Sequence, residues 1–244
     1  MSAKNRIIFP LDLPDYDKAM YYVEMLKGHV GLFKVGLELF ISEGPRVLKA
    51  IRDTGDAGIF LDLKLHDIPA TVKRALVAAF RHKPEFVTIH CDEGHGILRD
   101  IVEEHKSNTK ILAITVLTSL GKRQLKEGGF AREFIEDIAA LVLLKAHMAM
   151  EAGCHGVVCS GHEVKRIKSK IGDGLITVCP GIRPAWTVVG KDDQRRIMTP
   201  GLAVKNGADY IVVGRPIRDA EDPVYAAKMV AEEMESALDG VDID

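Results

Sequence analysis

The sequence predicts an α/β protein folded as a single (β/α)8 barrel over residues 1–244. Three observations carry this. Short runs rich in β-branched and apolar residues alternate eight times with stretches whose apolar residues recur at helical spacing. Such strict alternation implies a parallel sheet with right-handed crossovers. The strand runs are apolar throughout rather than at every second residue, as burial on both faces requires, and eight units in 244 residues is the usual size of this barrel. A doubly wound open sheet is the structural alternative, but its early GxGxxG turn is missing: the first run leads into LDLPD.

In chain order the strand runs are 6–11, 32–35, 58–63, 86–90, 111–118, 156–160, 175–179 and 210–214. Helical spacing predicts helices at 16–26, 45–54, 70–81 and 133–152. Near the end, Thr199-Pro200 reads as an N-cap followed by proline at the first helical position, and Asn206-Gly207 as a helix stop. Residues 239–244 are charged and read as a solvated tail. No linker or low-complexity tract divides the chain.

Bulk properties narrow the function. Hydrophobic residues make up 47% and charged residues 28%, which reads as soluble and globular. A formal charge of −2 argues against a nucleic-acid or membrane surface, while leaving room for a small anion held by local cations. The start, MSAKNRIIFPLD, has too short an apolar stretch for a signal peptide. Cys91, Cys154, Cys159 and Cys179 form no CxxC pair, sit in apolar runs and fit the reducing cytoplasm. No metal site is expected. His66, His90, His95 and His162 are scattered in sequence and read as structural, and a divalent metal held by Asp62, Asp92 and Glu93 would be repelled by nearby Lys64, which occupies that space.

In a barrel, chemistry gathers at the C-terminal ends of the strands. Asp12 ends the first run and Lys34 the second. The third gives Asp62 and Lys64, then His66 and Asp67. His90 and Asp92 follow the fourth run, Thr118 and Ser119 close the fifth, and Ser160 the sixth, without the GxSxG elbow of a nucleophile. Pro180, Gly181 and Arg183 follow the seventh, and Gly214 and Arg215 the eighth. Asp62 and Lys64 are two apart, so on a strand they share a face, with Leu61 and Leu63 on the other. Lys34 on the neighbouring strand would extend them into an alternating chain of charges, an arrangement that holds a lysine protonated as a proton donor. For a lone DxK, a surface ion pair is the commoner explanation. VVGRP places a glycine and an arginine where barrels often hold phosphate. The connection from Pro180 runs about twenty residues before helix chemistry resumes; a loop of that length is a lid or a mobile surface segment, and it carries Arg183 and Gln194.

Taken together, the segments resemble the orotidine 5'-monophosphate decarboxylase family. LDLKLHDIPATV at 61–72 is similar to its DxKxxD signature, and LDLPD, FKVGLELF, TVLTSL, GVVCS, CPGIRP, DDQRRIMTP, GADYIVVGRPI and the DP at 222–223 follow in the family's order. The DxKxxD core alone is shared with metal-dependent relatives acting on sugar phosphates; the fuller set is far more specific. The resemblance implies a cofactor-free conversion of orotidine 5'-monophosphate to uridine 5'-monophosphate and CO2. It implies that Asp62 and Lys64 flank the reacting carbon. It also implies a homodimer with shared active sites, in which Asp67 and Thr71 cross to the partner's ribose. Asp12 and Lys34 match ribose and network positions, Thr118 and Ser119 lie near the pyrimidine, and Arg183, Gln194, Gly214 and Arg215 match the phosphate grip. Pro180 joins the substrate-binding set. Two positions depart from the pattern: HCDEGHGIL has His95 where glycine is usual, and Ala70 stands where asparagine is frequent.

Overall fold

A computed structural model describes residues 1–55, 57–92, 94–103, 107–187 and 196–240. Strands β1 (Ile7–Pro10), β2 (Leu32–Gly36), β3 (Gly58–Leu65), β4 (Phe86–His90), β5 (Lys110–Ile114), β6 (Gly156–Val158), β7 (Ile176–Cys179) and β8 (Tyr210–Val212) pair in sequence order. All pairs are parallel, and β8 closes on β1. The (β/α)8 barrel is therefore as the alternation predicts, and the open sheet is ruled out by the β1–β8 pairing.

Helices cover the outside. They are α1 (Tyr16–Leu26), α2 (Leu37–Glu43), α3 (Arg46–Asp53), α4 (Pro69–Phe80), α5 (His95–Val102), α6 (Lys122–Glu127), α7 (Arg132–Glu136), α8 (Ile138–Glu151), α9 (Gly161–Ile171), α10 (Pro200–Lys205), α11 (Arg215–Arg218) and α12 (Pro223–Asp239). Local chemistry sets several boundaries. Asp15 caps α1 by accepting from the Lys18 N–H at 2.8 Å. Thr199 caps α10, Pro200 sits in its first turn, and Gly207 takes φ 98° just beyond it.

The structure corrects three boundaries. The helix expected over 133–152 is two helices, because Asp137 leaves helical geometry (φ −124°, ψ 86°) and caps α8 through the Ala140 N–H at 3.1 Å. The strand expected over 111–118 ends at Ile114, because Thr115 donates its hydroxyl to the Val158 carbonyl at 2.8 Å and the chain turns away. Asp239 belongs to α12 rather than to a tail, and 241–244 lie outside the described residues.

The core has two parts, both following from strand periodicity. One set of strand side chains, including Phe9, Phe33, Val35, Leu61, Val87 and Ile89, packs outward against helix residues such as Val23, Leu48 and Leu76. The opposite set, Ile8, Leu32, Phe60, Phe86, Leu112, Val178 and Val212, fills the barrel interior. There Phe86 meets Phe60 and Tyr210 edge-on, with ring centroids 5.8 and 5.0 Å apart. This plug has a consequence for the site. Two residues further along the inward-facing rows come Lys34, Asp62 and Thr88, with Pro10, Ile114, Pro180 and Gly214 on the other strands, so the first polar side chains stand where the apolar plug ends.

Candidate active site

The mouth of the barrel holds a cavity of about 530 Å³. Asp12, Lys34, Asp62, Lys64, Thr118, Ser119, Pro180, Arg183, Gly214 and Arg215 all line it. Most of the residues singled out at the strand ends thus converge on one space. Gln194 lies outside the described residues. Asp67 and Thr71 do not line this cavity: Asp67 is exposed, its carboxylate accepting from the Ile68 N–H at 2.6 Å, and Thr71 accepts from Arg74 at 3.3 Å.

Four residues at the floor form an alternating chain of charge. Lys34 Nζ donates to Asp12 Oδ1 at 2.8 Å and lies 3.7 Å from Asp62 Oδ2. Lys64 Nζ donates to the same Asp62 oxygen at 2.7 Å. Gly36 pairs with Asp62 across β2 and β3. Its lack of a side chain leaves room for the lysine, since a Cβ there would stand 3.1 Å from Lys34 Nζ.

Lys64 does not continue the strand regularly. Its φ is 48°, and the β3–β4 register shifts between Leu61 and Leu65. Thr88 on β4 holds this kink. Its hydroxyl donates to Asp62 Oδ1 at 3.0 Å and accepts the Lys64 N–H at 2.9 Å. A non-glycine residue at positive φ is strained, and strain persists only where the surroundings over-determine it. Here both the backbone and the ammonium of Lys64 are fixed, one by Thr88 and the other by Asp62.

Burial works against both Lys34 and Asp62, and in each case the neighbours prevail. The Lys34 ammonium is disfavoured by desolvation, but Asp62 and Asp12 outweigh this and raise its pKa above the ordinary 10.5. Asp62 is likewise penalised by burial, and Lys34, Lys64 and Thr88 hold it below the ordinary 3.8. Both groups stay charged across the neutral range, which keeps the chain alternating.

The lining that follows β7 and β8 is cationic. Arg183, Arg215 and Arg218 line the cavity beside Gly214. Gly214 is required by packing, because a Cβ would stand 2.8 Å from Pro10 Cγ. Arginines and a close backbone beside an acid–base chain suit an anionic ligand.

A family model described as "Orotidine 5'-phosphate decarboxylase / HUMPS family" matches residues 5–230. The chain belongs to that family. Among relatives named orotidine 5'-phosphate decarboxylase, that of Desulfosudis oleivorans is 46% identical over 236 residues, covering 96% of this chain and 95% of its own. That of Moorella thermoacetica is 41% identical over 244 residues, covering 96% and 94%. A crystal structure of orotidine 5'-phosphate decarboxylase from Lactobacillus acidophilus superposes with a TM-score of 0.79 at 35% identity, covering 93% of this chain and 98% of that one. An uncharacterized conserved protein from Geobacillus kaustophilus has the same fold, with a TM-score of 0.77 at 30% identity over 93% and 99% of the two chains.

Within this decarboxylase-family barrel, sequence reasoning missed several residues. Thr88 carried a signal: it is a polar residue at an inward position of the apolar run FVTIH. Arg218 stands three residues past Arg215, on the same side of the short α11. The histidines are less scattered than their sequence positions suggest. His66 and His90 stack with centroids 4.9 Å apart, and His90 Nδ1 lies 3.0 Å from Asp92. The donor atoms of these three residues all lie within 4.8 Å of one another. Lys145, buried on α8, bonds the same Asp92 carboxylate and also the Thr115 carbonyl at 2.9 Å. His90 and Lys145 together depress the Asp92 pKa, so a resident ammonium already neutralises that carboxylate. Asp92 is thus held by His90 and Lys145, and Glu93 lies outside the described residues. Ser160 accepts from the His162 N–H and caps α9, a structural role.

Proposed function

We propose that this protein decarboxylates orotidine 5'-monophosphate to uridine 5'-monophosphate without a cofactor. The observation that carries this reading is the floor of the cavity, where Lys64 is bonded to Asp62 at 2.7 Å inside the alternating chain Asp12–Lys34–Asp62–Lys64. Loss of CO2 from C6 of the orotate ring leaves a vinylic carbanion with no adjacent π acceptor. Its charge must then be met by fixed charges, and Lys64 supplies one. Lys64 stabilises the developing negative charge and delivers the proton to C6. Asp62 sits beside the substrate carboxylate and disfavours the ground state.

Remote binding supports the chemistry. Arg183, Arg215 and the Gly214 backbone take the phosphate, with Gln194 joining them on the family pattern. Thr118, Ser119 and Pro180 frame the base, and Asp12 and Lys34 hold the ribose side. Energy gained at the phosphate is expressed at the reacting carbon. The working unit is a homodimer in which Asp67 and Thr71 of each copy complete the other's site. The exposure of Asp67, just before Pro69 directs the chain into α4, is compatible with such a reach. All four cysteines are buried and form no disulfide, which suits a cytoplasmic enzyme. Among the described residues no helix is long and apolar enough to cross a membrane.

The test is direct. Orotidine 5'-monophosphate is added to enzyme with and without excess EDTA, and the loss of orotate absorbance is followed. Equal rates support the proposal. Activity that disappears with EDTA and returns with magnesium would point instead to a metal-dependent sugar-phosphate lyase ancestry. Tight binding without turnover would point to a nucleotide-binding protein on the same fold.

A further inference from the structure

Arg196 is not among the residues assigned to the ligand, yet it joins two walls of the cavity. Its guanidinium donates to Glu163 Oε1 at 2.7 Å and to the carbonyls of Val116 and Leu117 at 3.0 and 3.4 Å. Val116, Leu117, Thr118 and Ser119 are consecutive in the cavity wall. This segment has left β5 and pairs with no strand among the described residues, so Arg196 supplies donors that a ladder would otherwise provide. Thr115 fixes the segment's start through the Val158 carbonyl.

The backbone beside Arg196 is tied to the segment that follows β7, two strands round the barrel from β5. The Ile197 carbonyl lies 3.0 Å from His162 Nε2. Met198 bridges to Ile182, and its carbonyl accepts the Arg183 N–H at 2.9 Å. One residue thus connects the backbone that presents Arg183 with the backbone that presents Thr118 and Ser119.

The pair is costly. The Glu163 and Arg196 side chains are 5% and 13% exposed. Glu163 Oε2 and Arg196 Nε are buried with no hydrogen-bond partner among the described residues. Burial pushes the Glu163 carboxyl above its ordinary pKa, and Arg196 offsets only part of that. Buried ion pairs often stabilise no better than apolar residues of the same size, so stability alone does not account for this one.

We propose that Arg196 is a positioning residue that couples the phosphate side of the cavity, through Arg183, to the Val116–Ser119 wall against which the base lies. The inference rests on the decarboxylase reading above. Without Arg196 the two walls move independently, and the phosphate grip no longer sets the position of the base.

The test compares Arg196→Met, Arg196→Lys and the double variant Glu163→Gln/Arg196→Met, which removes both buried charges at similar volume. Each is assayed with orotidine 5'-monophosphate and with the nucleoside orotidine, alongside a thermal melt. The double variant should melt close to wild type. Its kcat/KM for the nucleotide should fall at least about 10-fold, since small misplacements of reacting groups cost that much or more. The loss for orotidine should be smaller, so the preference for the phosphorylated substrate shrinks. Arg196→Lys, which keeps one link of the two, should lie between. Equal losses for both substrates, or an unchanged preference in a folded double variant, would overturn the proposal. A wild-type protein inactive on the nucleotide would instead overturn the underlying reading.

Discussion

Replacing Asp62 with asparagine removes one charge from the centre of the chain while keeping its shape. Asp62 faces Lys64 at 2.7 Å, Lys34 at 3.7 Å and the Thr88 hydroxyl at 3.0 Å. In the variant, two ammonium groups share a wall with Asp12 as the remaining acid of the chain. Losing a charge-assisted bond costs about 1.5–3 kcal/mol, and stranding a fully buried partner costs about 3–5 kcal/mol. Lys64 is 30% exposed, so water recovers part of the penalty. A net loss of about 2–4 kcal/mol follows, or roughly 5–15 °C in Tm for a chain of this size. The sign with pH is fixed by the depressed Asp62 pKa. Its contribution is present above the ordinary 3.8 and is lost as pH falls through the lower folded value. The gap between wild type and Asp62→Asn should therefore be wide at neutral pH and close in strong acid. Turnover should fall by at least about 100-fold, because Lys64 loses the partner that aims it. Calorimetry across pH and the orotate absorbance assay measure both. An Asp62→Asn protein with wild-type Tm at pH 7 and wild-type kcat would refute the charge-chain argument.

Other expectations follow from the residues around the cavity. Arg215→Ala should lower kcat/KM for the nucleotide by roughly 10–200-fold, the equivalent of about 1.5–3 kcal/mol, while barely changing turnover of orotidine; steady-state kinetics with both substrates tests this, and equal effects would remove the phosphate role. Mixing inactive Asp67→Ala with inactive Lys64→Ala should restore about a quarter of wild-type activity after subunit exchange, since half the dimers are hybrids with one intact site each. No recovery despite verified exchange would leave Asp67 acting within its own chain. Thr88→Val should loosen the Lys64 kink, lowering kcat more than it raises KM; an unchanged kcat would show that Asp62 alone positions the lysine.

Much of this was legible in the sequence because it depends on short-range rules. Inward and outward faces of a strand alternate, so Asp62 and Lys64 had to share a side, and Lys34 on the next strand had to lie near them. The barrel rule then drew Arg183, Gly214 and Arg215 to the same mouth. What was missed depends on distant partners. Thr115 ends β5 early only because Val158 offers it a carbonyl, and Asp137 splits a helix by capping the next turn. The stacking of His66 on His90 comes from the neighbouring positions of β3 and β4, which no spacing motif records. The Arg196–Glu163 pair joins residues 33 apart through tertiary contact, and neither residue stands at a strand end where chemistry was sought.

The central claim, that Lys64 is the proton donor, is tested most directly by Lys64→Ala. The variant should fold, bind uridine 5'-monophosphate by calorimetry through the intact arginines, and lose turnover by at least the roughly 10²–10⁴-fold that general acid catalysis supplies. A variant that binds the product and still releases CO2 within about tenfold of the wild-type rate would contradict that account.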